Sequence, residues 1–564
     1  MLKNTILAAI LATCLTGVPA AFADMDAGAY LAARQADKHH DFQMAARFFG
    51  AGMAADPANP RLAERGMTSL INLGRWDEAV PLATALVEGG ISHQIAHLVL
   101  QLDAVKSGRW DDVFHGLERD RGVGPLVDGI TQAWAHLGRG NMDRALASFD
   151  QVIEADGMRV YGLTHKAFAL ASVGDFEGAA AIFDDPASAM RYSRQSALAH
   201  AQILSQLGRN ADAVGLIDRV FGAQRDARVN ALYDRLQRDE AVAYDAVRTP
   251  AQAIADLHLT IAGILDGEAQ DTVTLTYARA AMYLWPENTS AILTTAGLLE
   301  DMAQYELANK AYRAISPDDP SFHAAELGRA GVLLDAGNQE AAVEVLEALS
   351  RSHPDLPEVY ATKGDTLRQL ERFDDAQAAY TRALDLYHPE HSARWFVHYT
   401  RGISSHKMDN WPAAEADFRA ALALRPDHPQ VLNYLGYSLV ERGEKLQEAL
   451  QMIETAVAAR PDNGAIVDSL GWVLFQLGQY EEAVVHLEHA ASLLPVDPVI
   501  NDHLGDALWA VGREVEARFQ WQRALSFDPT ESDAQRIRDK LARGLDLVLL
   551  DEGAEPLRLA SGDD

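Results

Sequence analysis

The chain has 564 residues, 48% of them apolar, a formal net charge of −32 and a single cysteine. That length exceeds what one compact core organises, so several domains or an elongated array is expected. The acidity speaks against nucleic-acid binding, which needs a cationic face, and against docking on anionic lipid. One cysteine excludes a multi-cysteine zinc site and any disulfide within the chain.

Residues 1–23, MLKNTILAAILATCLTGVPAAFA, read as an export signal. Lys3 gives a positive start, Ile6 to Leu15 an apolar stretch too short to span a bilayer, and Gly17 with Pro19 a break. Ala21-Phe22-Ala23 supplies the small side chains a signal peptidase accepts, so cleavage after Ala23 and a periplasmic protein are expected. A competing reading takes Leu11-Ala12-Thr13-Cys14 as a lipobox, which would leave Cys14 as the lipidated N-terminus of an outer-membrane lipoprotein. Thr13 departs from the usual Gly, Ala or Ser, and cleavage is the preferred expectation. The cleaved chain would hold no cysteine, which suits an oxidising compartment.

From there onward, landmarks recur in step. Ala45 and Ala79 are 34 apart, and Ala145, Ala179 and Ala213 keep the same interval. So do Pro286, Pro320 and Pro354, and Ala308, Ala342 and Ala376. In the last part, Ala414, Ala449, Ala483 and Ala517 are spaced 35, 34 and 34, and Pro426, Pro461, Pro495 and Pro529 repeat those gaps. Gly402, Gly436, Gly471 and Gly505 are spaced 34, 35 and 34, which places one extra residue in the turn Glu441–Lys445.

These landmarks resemble the tetratricopeptide repeat (TPR), with small residues at positions 8, 20 and 27, a large one at 24 and proline at 32. Phe418, Ile453, Leu487 and Trp521 supply the large residue. The resemblance implies an all-α, right-handed superhelix, an α-solenoid of about 14 helix-pair units with a C-terminal capping helix. Units are expected to start near residues 26, 60, 92, 126, 160, 194, 255, 289, 323, 357, 395, 429, 464 and 498. The expected organisation is a signal peptide (1–23), an N-terminal array (24–225), an irregular joint or degenerate repeat (226–254), a C-terminal array (255–530), a capping helix (531–550) and an acidic flexible tail (551–564). In the cap, Ala534, Ile537, Leu541 and Leu545 form an apolar stripe, with Arg536, Arg538, Asp539 and Lys540 on the other face.

On the first helix of each unit, positions 4, 7, 8 and 11 share the core face, and positions 2, 5, 9, 12 and 13 the opposite one. The family resemblance makes that second side the concave wall. It carries Phe396, Tyr399, Ile403 and His406, then Asn433 and Tyr437 with Gln430 and Glu441. Asp468, Trp472 and Phe475 follow, then Asp502, Asp506 and Trp509. Amphipathic rings beside carboxylates and an amide suit a peptide or partner groove made of Asn433, Tyr437, Asp468, Trp472, Phe475, Asp502, Asp506 and Trp509. Packing between units is the alternative. Asp468, Asp502 and Asp506 would favour a cationic or neutral ligand and repel a carboxylate.

Catalytic chemistry is not in evidence. There is no Gly-rich phosphate loop and no Gly-x-Ser-x-Gly elbow. His486 and His489 with His503, and His39-His40, read as surface histidines and not as metal ligands. No enzyme activity, cofactor or metal is expected. The phrases NYLGYSLVERG, DSLGWVLFQLGQYEEAV and NDHLGDALWAVGR are similar to envelope TPR proteins of Gram-negative bacteria. Some of those are lipoproteins that act as adaptors for carboxyl-terminal processing proteases. The resemblance implies an exported scaffold or adaptor for protein or peptide partners, including presentation of substrates to an envelope protease. The alternatives are a non-protease scaffold for envelope assembly or polymer export, and, from another class, an enzyme with an undetected site. Neither nucleic acid nor a transmembrane helix is expected.

Overall fold

The computed structural model describes residues 27–56, 59–188, 190–222, 225–553 and 557. The expected export signal with Cys14, and most of the expected tail, lie outside the described residues. Among those residues the fold is all-α, with 31 α-helices and one 3-10 helix, Pro186–Ser188. Twenty-six of the helices form 13 antiparallel pairs whose first members begin at 27, 60, 94, 125, 159, 194, 250, 289, 357, 394, 429, 464 and 498, and a further first helix begins at 322.

Local chemistry sets these boundaries. Asn59, Asn463 and Asp497 accept backbone N–H groups of their own helices, and Pro60, Pro357, Pro429 and Pro498 stand in first turns that need no donor. The turn between paired helices takes a left-handed residue, such as Gly478 at φ +76°. The pairing of a small residue at position 8 with a large one at 24 is steric. A Cβ on Gly471 would come within 2.5 Å of Leu487, and one on Gly505 within 2.4 Å of Trp521. The extra residue near 441–445 is absorbed by Gly443 at φ +62° and Lys445 at φ +47°.

The chain forms two compact units, residues 1–345 and 346–564, with the division inside helix Gln339–Ser352. In the first unit, the segment expected to be irregular contains helix Ala227–Gln237, followed by a non-helical run to Thr249. The next pair begins at Pro250, five residues before the expected start, because the Thr249 hydroxyl caps the Gln252 N–H at 3.2 Å. This hairpin, Pro250–Leu265 with Asp271–Leu284, packs against the first helices of earlier units, Pro60–Asn72, Gln94–Lys106 and Pro125–Gly138. Ile254, Leu257 and Leu284 thereby join one core with Ile71, Val99, Ile130 and Trp134.

The second unit stacks five pairs from Pro357 to Leu525 and ends in two helices, Glu531–Arg543 and Leu545–Asp551. The expected single capping helix is broken at Gly544, whose φ is +87°. A Cβ there would meet the Trp509 ring at 2.6 Å, so the break needs glycine. Of the expected capping stripe, Ala534, Ile537 and Leu545 are buried.

Candidate functional site

The inner face of the second unit is built from first helices. Pro429–Glu441, Gly464–Gln476 and Pro498–Ala510 pack directly on one another. Side chains at positions 5, 9 and 12 therefore meet the neighbouring helix as well as the lumen. Trp472 and Trp509 are each only 8% exposed, and Phe475 is 6% exposed. Trp472 stacks on His503, ring centres 3.9 Å apart and 10° from parallel, and on Phe475 at 4.9 Å. Its indole N–H donates to Glu441 at 2.8 Å. The Trp509 indole N–H donates to Asp546 of the terminal helix at 2.8 Å, and its ring lies 5.4 Å from Trp521. The expectation that these rings line an open face is corrected: closely packed first helices turn them into joints between units.

The acids nearby are also engaged. Asp468 accepts from the His503 ring, with both carboxylate oxygens 3.1 Å from Nδ1. His503 is thus buried and not the surface histidine expected. Burial works against its charged form, but Asp468, with Asp502 and Asp506, outweighs that and raises its pKa above the usual 6.5. Asp502 and Asp506 converge on Lys540, whose ammonium lies 2.7–2.9 Å from all four of their oxygens and shares its three N–H donors among them. Arg536 approaches the same pair at 3.8 and 3.5 Å. Burial, then the charge of Asp506, raises the Asp502 pKa despite Lys540. The cation expected from a ligand is thus supplied by the chain itself, and Lys540, fully buried, is not on a solvated face.

Two of the eight expected groove residues, Asn433 and Tyr437, stay on a partly open wall. Around them Phe396 is 41% exposed, Gln430 and Glu441 are exposed, and Tyr399 is half-buried. Asn433 Oδ1 has no hydrogen-bond partner. Burial, followed by the charges of Glu441 and Asp468, drives the Tyr437 hydroxyl pKa upward, so it stays a donor. Behind this wall, Asp417 fixes the helix Arg394–Lys407 through His398 at 2.9 Å and a two-pronged Arg401 contact at 2.7 and 2.8 Å. Burial disfavours the Asp417 anion, yet these partners hold its pKa below the ordinary value.

The first unit's inner face, which sequence reasoning left unread, is filled by its own chain. Tyr283 of the Asp271–Leu284 helix stacks on Trp76 at 4.5 Å and donates to Asp103 at 3.1 Å. Arg279, 8% exposed, donates to the Asn72 carbonyl at 3.0 Å, at the C-terminal end of its helix. Burial lowers its pKa to about 10. Asn72 occupies position 13 of its unit, an inner-face position, whereas Asp103 stands at position 10 of the unit that begins at 94 and escapes the positional rule.

Among the described residues, no group of three or more His, Cys, Asp or Glu side chains is placed to hold a metal ion, and no helix is long and apolar enough to cross a membrane.

Stacked helix pairs with an inner wall of first helices define a repeat protein of the protein-binding class. The tetratricopeptide repeat pattern matches residues 130–189, 293–357, 362–397, 399–463 and 442–498. These stretches carry the tetratricopeptide repeat, whose family comprises generally non-catalytic scaffolds. It is similar to the human "Tetratricopeptide repeat protein 13", 31% identical over 104 residues, 18% of this chain and 11% of that protein. It is also similar to a TPR repeat-containing protein of Pseudomonas aeruginosa, 25% identical over 130 residues, 23% of this chain and 21% of that one. The matched stretches thus span well under two thirds of these relatives. Solved structures with similarity include a chain of the APC/C hetero-tetramer Cut9-Hcn1 (15% identity, 93% of this chain and 97% of that one, TM-score 0.38) and MamA (18% identity, 31% and 93%, TM-score 0.28).

Proposed function

We propose that the protein is an exported scaffold that holds a partner protein on the wall formed by Phe396, Tyr399, Asn433 and Tyr437, with Gln430 and Glu441 at its edge. The observation that carries this reading is the exposure of Phe396, Gln430 and Glu441 at inner-face positions of their helices, while the face farther along is closed by Lys540 and Asp546. The wall suits a peptide that sets an apolar residue against Phe396, whereas the buried Asn433 oxygen is reached only if that side chain turns outward. Glu441 sets a preference for neutral or cationic ligands. Residues 1–23 support export to the periplasm. The similarity of residues 433–513 to envelope TPR adaptors supports presentation of substrates to a carboxyl-terminal processing protease.

A photo-crosslinking amino acid at position 396 or 430 in cells tests the assignment. Capture of a processing protease or its substrates from the envelope fraction, lost in Asn433→Ala, is the expected result. Capture of envelope-assembly or polymer-export components would replace the protease reading. Absence of any crosslinked protein from both positions would remove the wall as a binding site.

A further inference from the structure

The run between helices Ala227–Gln237 and Pro250–Leu265 lies along the helix Arg194–Gln206 and is held through its main chain. Gln206 donates to the Val242 carbonyl at 2.6 Å, and the Ser205 hydroxyl accepts the Val242 N–H at 2.9 Å. The Gln202 carbonyl oxygen accepts both the Asp245 and Ala246 N–H groups at 3.0 Å, while its amide nitrogen donates to the Asp245 carboxylate at 2.6 Å. Gln195 donates to the Ala246 carbonyl at 2.5 Å. Asn210, opening the next helix, donates to the Asp239 side chain at 2.8 Å and to the Glu240 carbonyl at 3.3 Å.

The geometry is that of a bound peptide. From Gln195 to Gln206 the helix rises about 16 Å. Val242 to Ala246 spans at most about 14 Å, a difference the glutamine side chains bridge, and the run bends at Ala246, where one Gln202 oxygen gathers two successive N–H groups. It proceeds antiparallel to the helix. Its side chains alternate: Val242 and Ala246 are buried and Tyr244 is half-buried beside Phe176, while Ala241, Ala243 and Asp245 face out. The side chains that read it, Gln195, Gln202, Ser205 and Gln206, stand at positions 2, 9, 12 and 13 of their unit. These are inner-face positions. A covalent connection between two helices has no need of main-chain readout by three glutamines. A site for a peptide does, because amide side chains can accept from main-chain N–H groups and donate to C=O groups whatever the sequence.

We propose that this face of helix Arg194–Gln206 is a second peptide-binding site, held closed by residues 239–246 acting as a built-in ligand. Its incoming ligand is an extended peptide of the same pattern: a small β-branched residue, then an aromatic two positions on, an acid next and alanine after it. The tethered segment competes at a high effective concentration, so a free peptide binds well only when the segment is released. The site is separate from the wall proposed in the second unit and does not depend on it.

The test uses the full-length protein and a fluorescent synthetic peptide with the sequence of residues 238–249. The double variant Val242→Asp, Ala246→Asp places carboxylates at two buried positions and expels the segment. It should bind the probe at least tenfold more tightly than the wild type, and Gln202→Ala in that background should abolish the gain. A cooperatively folded double variant that binds no better than the wild type overturns the proposal. Hydrogen exchange on the unaltered protein provides a second reading, independent of whether the variant folds. The amides of Val242, Asp245 and Ala246 should exchange at least tenfold faster than those in the middle of helix Arg194–Gln206, through local release. Exchange of both sets only by the same global unfolding would overturn it equally.

Discussion

Lys540→Met tests whether the end of the second unit is locked by charge. The Lys540 side chain is fully buried, its ammonium within 2.7–2.9 Å of four carboxylate oxygens. Methionine keeps most of the volume and removes the charge, leaving Asp506, 1% exposed at its side chain, and Asp502, at 15%, with only Arg536. That guanidinium is farther away, at 3.5–3.8 Å, and is shared with Glu552 at 2.7 Å. Removing one partner of a buried ion pair costs about 3–5 kcal/mol. Asp506 keeps the Trp521 N–H, so about 3 kcal/mol at pH 7 is the working value for this site. The pH dependence has a definite sign. Without Lys540 the folded-state pKa of the Asp502 carboxyl rises further above its unfolded value near 3.8. A raised folded pKa means that protonation favours the folded state, so the deficit must shrink as pH falls from 7 to 5. Guanidinium titrations at both pH values give the size. Hydrogen exchange gives the place, because stability in stacked repeats is local and residues 498–551 should lose protection first. Lys540→Met with Asp502→Asn and Asp506→Asn should recover most of the loss. A deficit under about 1 kcal/mol at pH 7, or one unchanged at pH 5, would refute the charge-lock reasoning.

Other outcomes follow from the same contacts. Trp472→Ala removes a ring stacked on His503 and should lower stability by about 3–5 kcal/mol in a denaturant titration. Phe396→Ala, at a side chain already 41% exposed, should lower it by about 1 kcal/mol or less while weakening partner capture at least tenfold. Burial raises the Asp256 carboxyl from 3.8 to about 7, so the folded state holds a proton that the unfolded chain releases between those values. Stability of the first unit should therefore fall, relative to Asp256→Asn, as pH rises from about 4 to 7, by on the order of 4 kcal/mol. Melting temperatures of the two proteins at pH 4.5 and 7.5 check the convergence at low pH. Gly544→Ala forces a side chain into φ +87° and against Trp509, and should cost about 1–3 kcal/mol, seen as faster exchange in residues 545–551.

The repeat was legible because its constraint is steric and local. A small residue facing a large one about 16 positions later leaves a mark at many copies, such as Gly364 with Tyr380 and Gly402 with Phe418, and the expected unit starts fall within two residues of the observed ones at every unit but that at 250. That exception was readable too, since Thr249-Pro250 is a helix start and the repeat count alone overrode it. In the last three units the positional rule picked residues that meet the neighbouring first helix and misjudged their exposure. Periodicity says which residues share a side; it is silent on what packs there. Lys540 reads as a solvated lysine until helix Pro498–Ala510, 34–38 residues away, delivers two acids to it. His503 reads as surface until Asp468, 35 residues earlier, reaches its ring. The run at 239–249 lacks helical periodicity, and its partners sit as far as 51 residues upstream, so no local pattern could reveal that it is ordered.

These long-range contacts also bear on where binding can occur. A solenoid presents one inner face per unit, and each face needs its polar groups satisfied by something. In the first unit, that something is the hairpin 250–284 and the segment 239–246. At the end of the second it is Lys540, Arg536 and the helix Leu545–Asp551. Faces satisfied covalently within the chain can admit a partner only by displacing a tethered competitor, whereas a face left exposed can admit one directly. Phe396, Gln430 and Glu441 meet the second condition, and the glutamines of helix Arg194–Gln206 meet the first. A partner of the Phe396 wall should therefore bind without displacing a segment of the second unit, and a partner of the glutamine face should bind at a rate limited by release of residues 239–246.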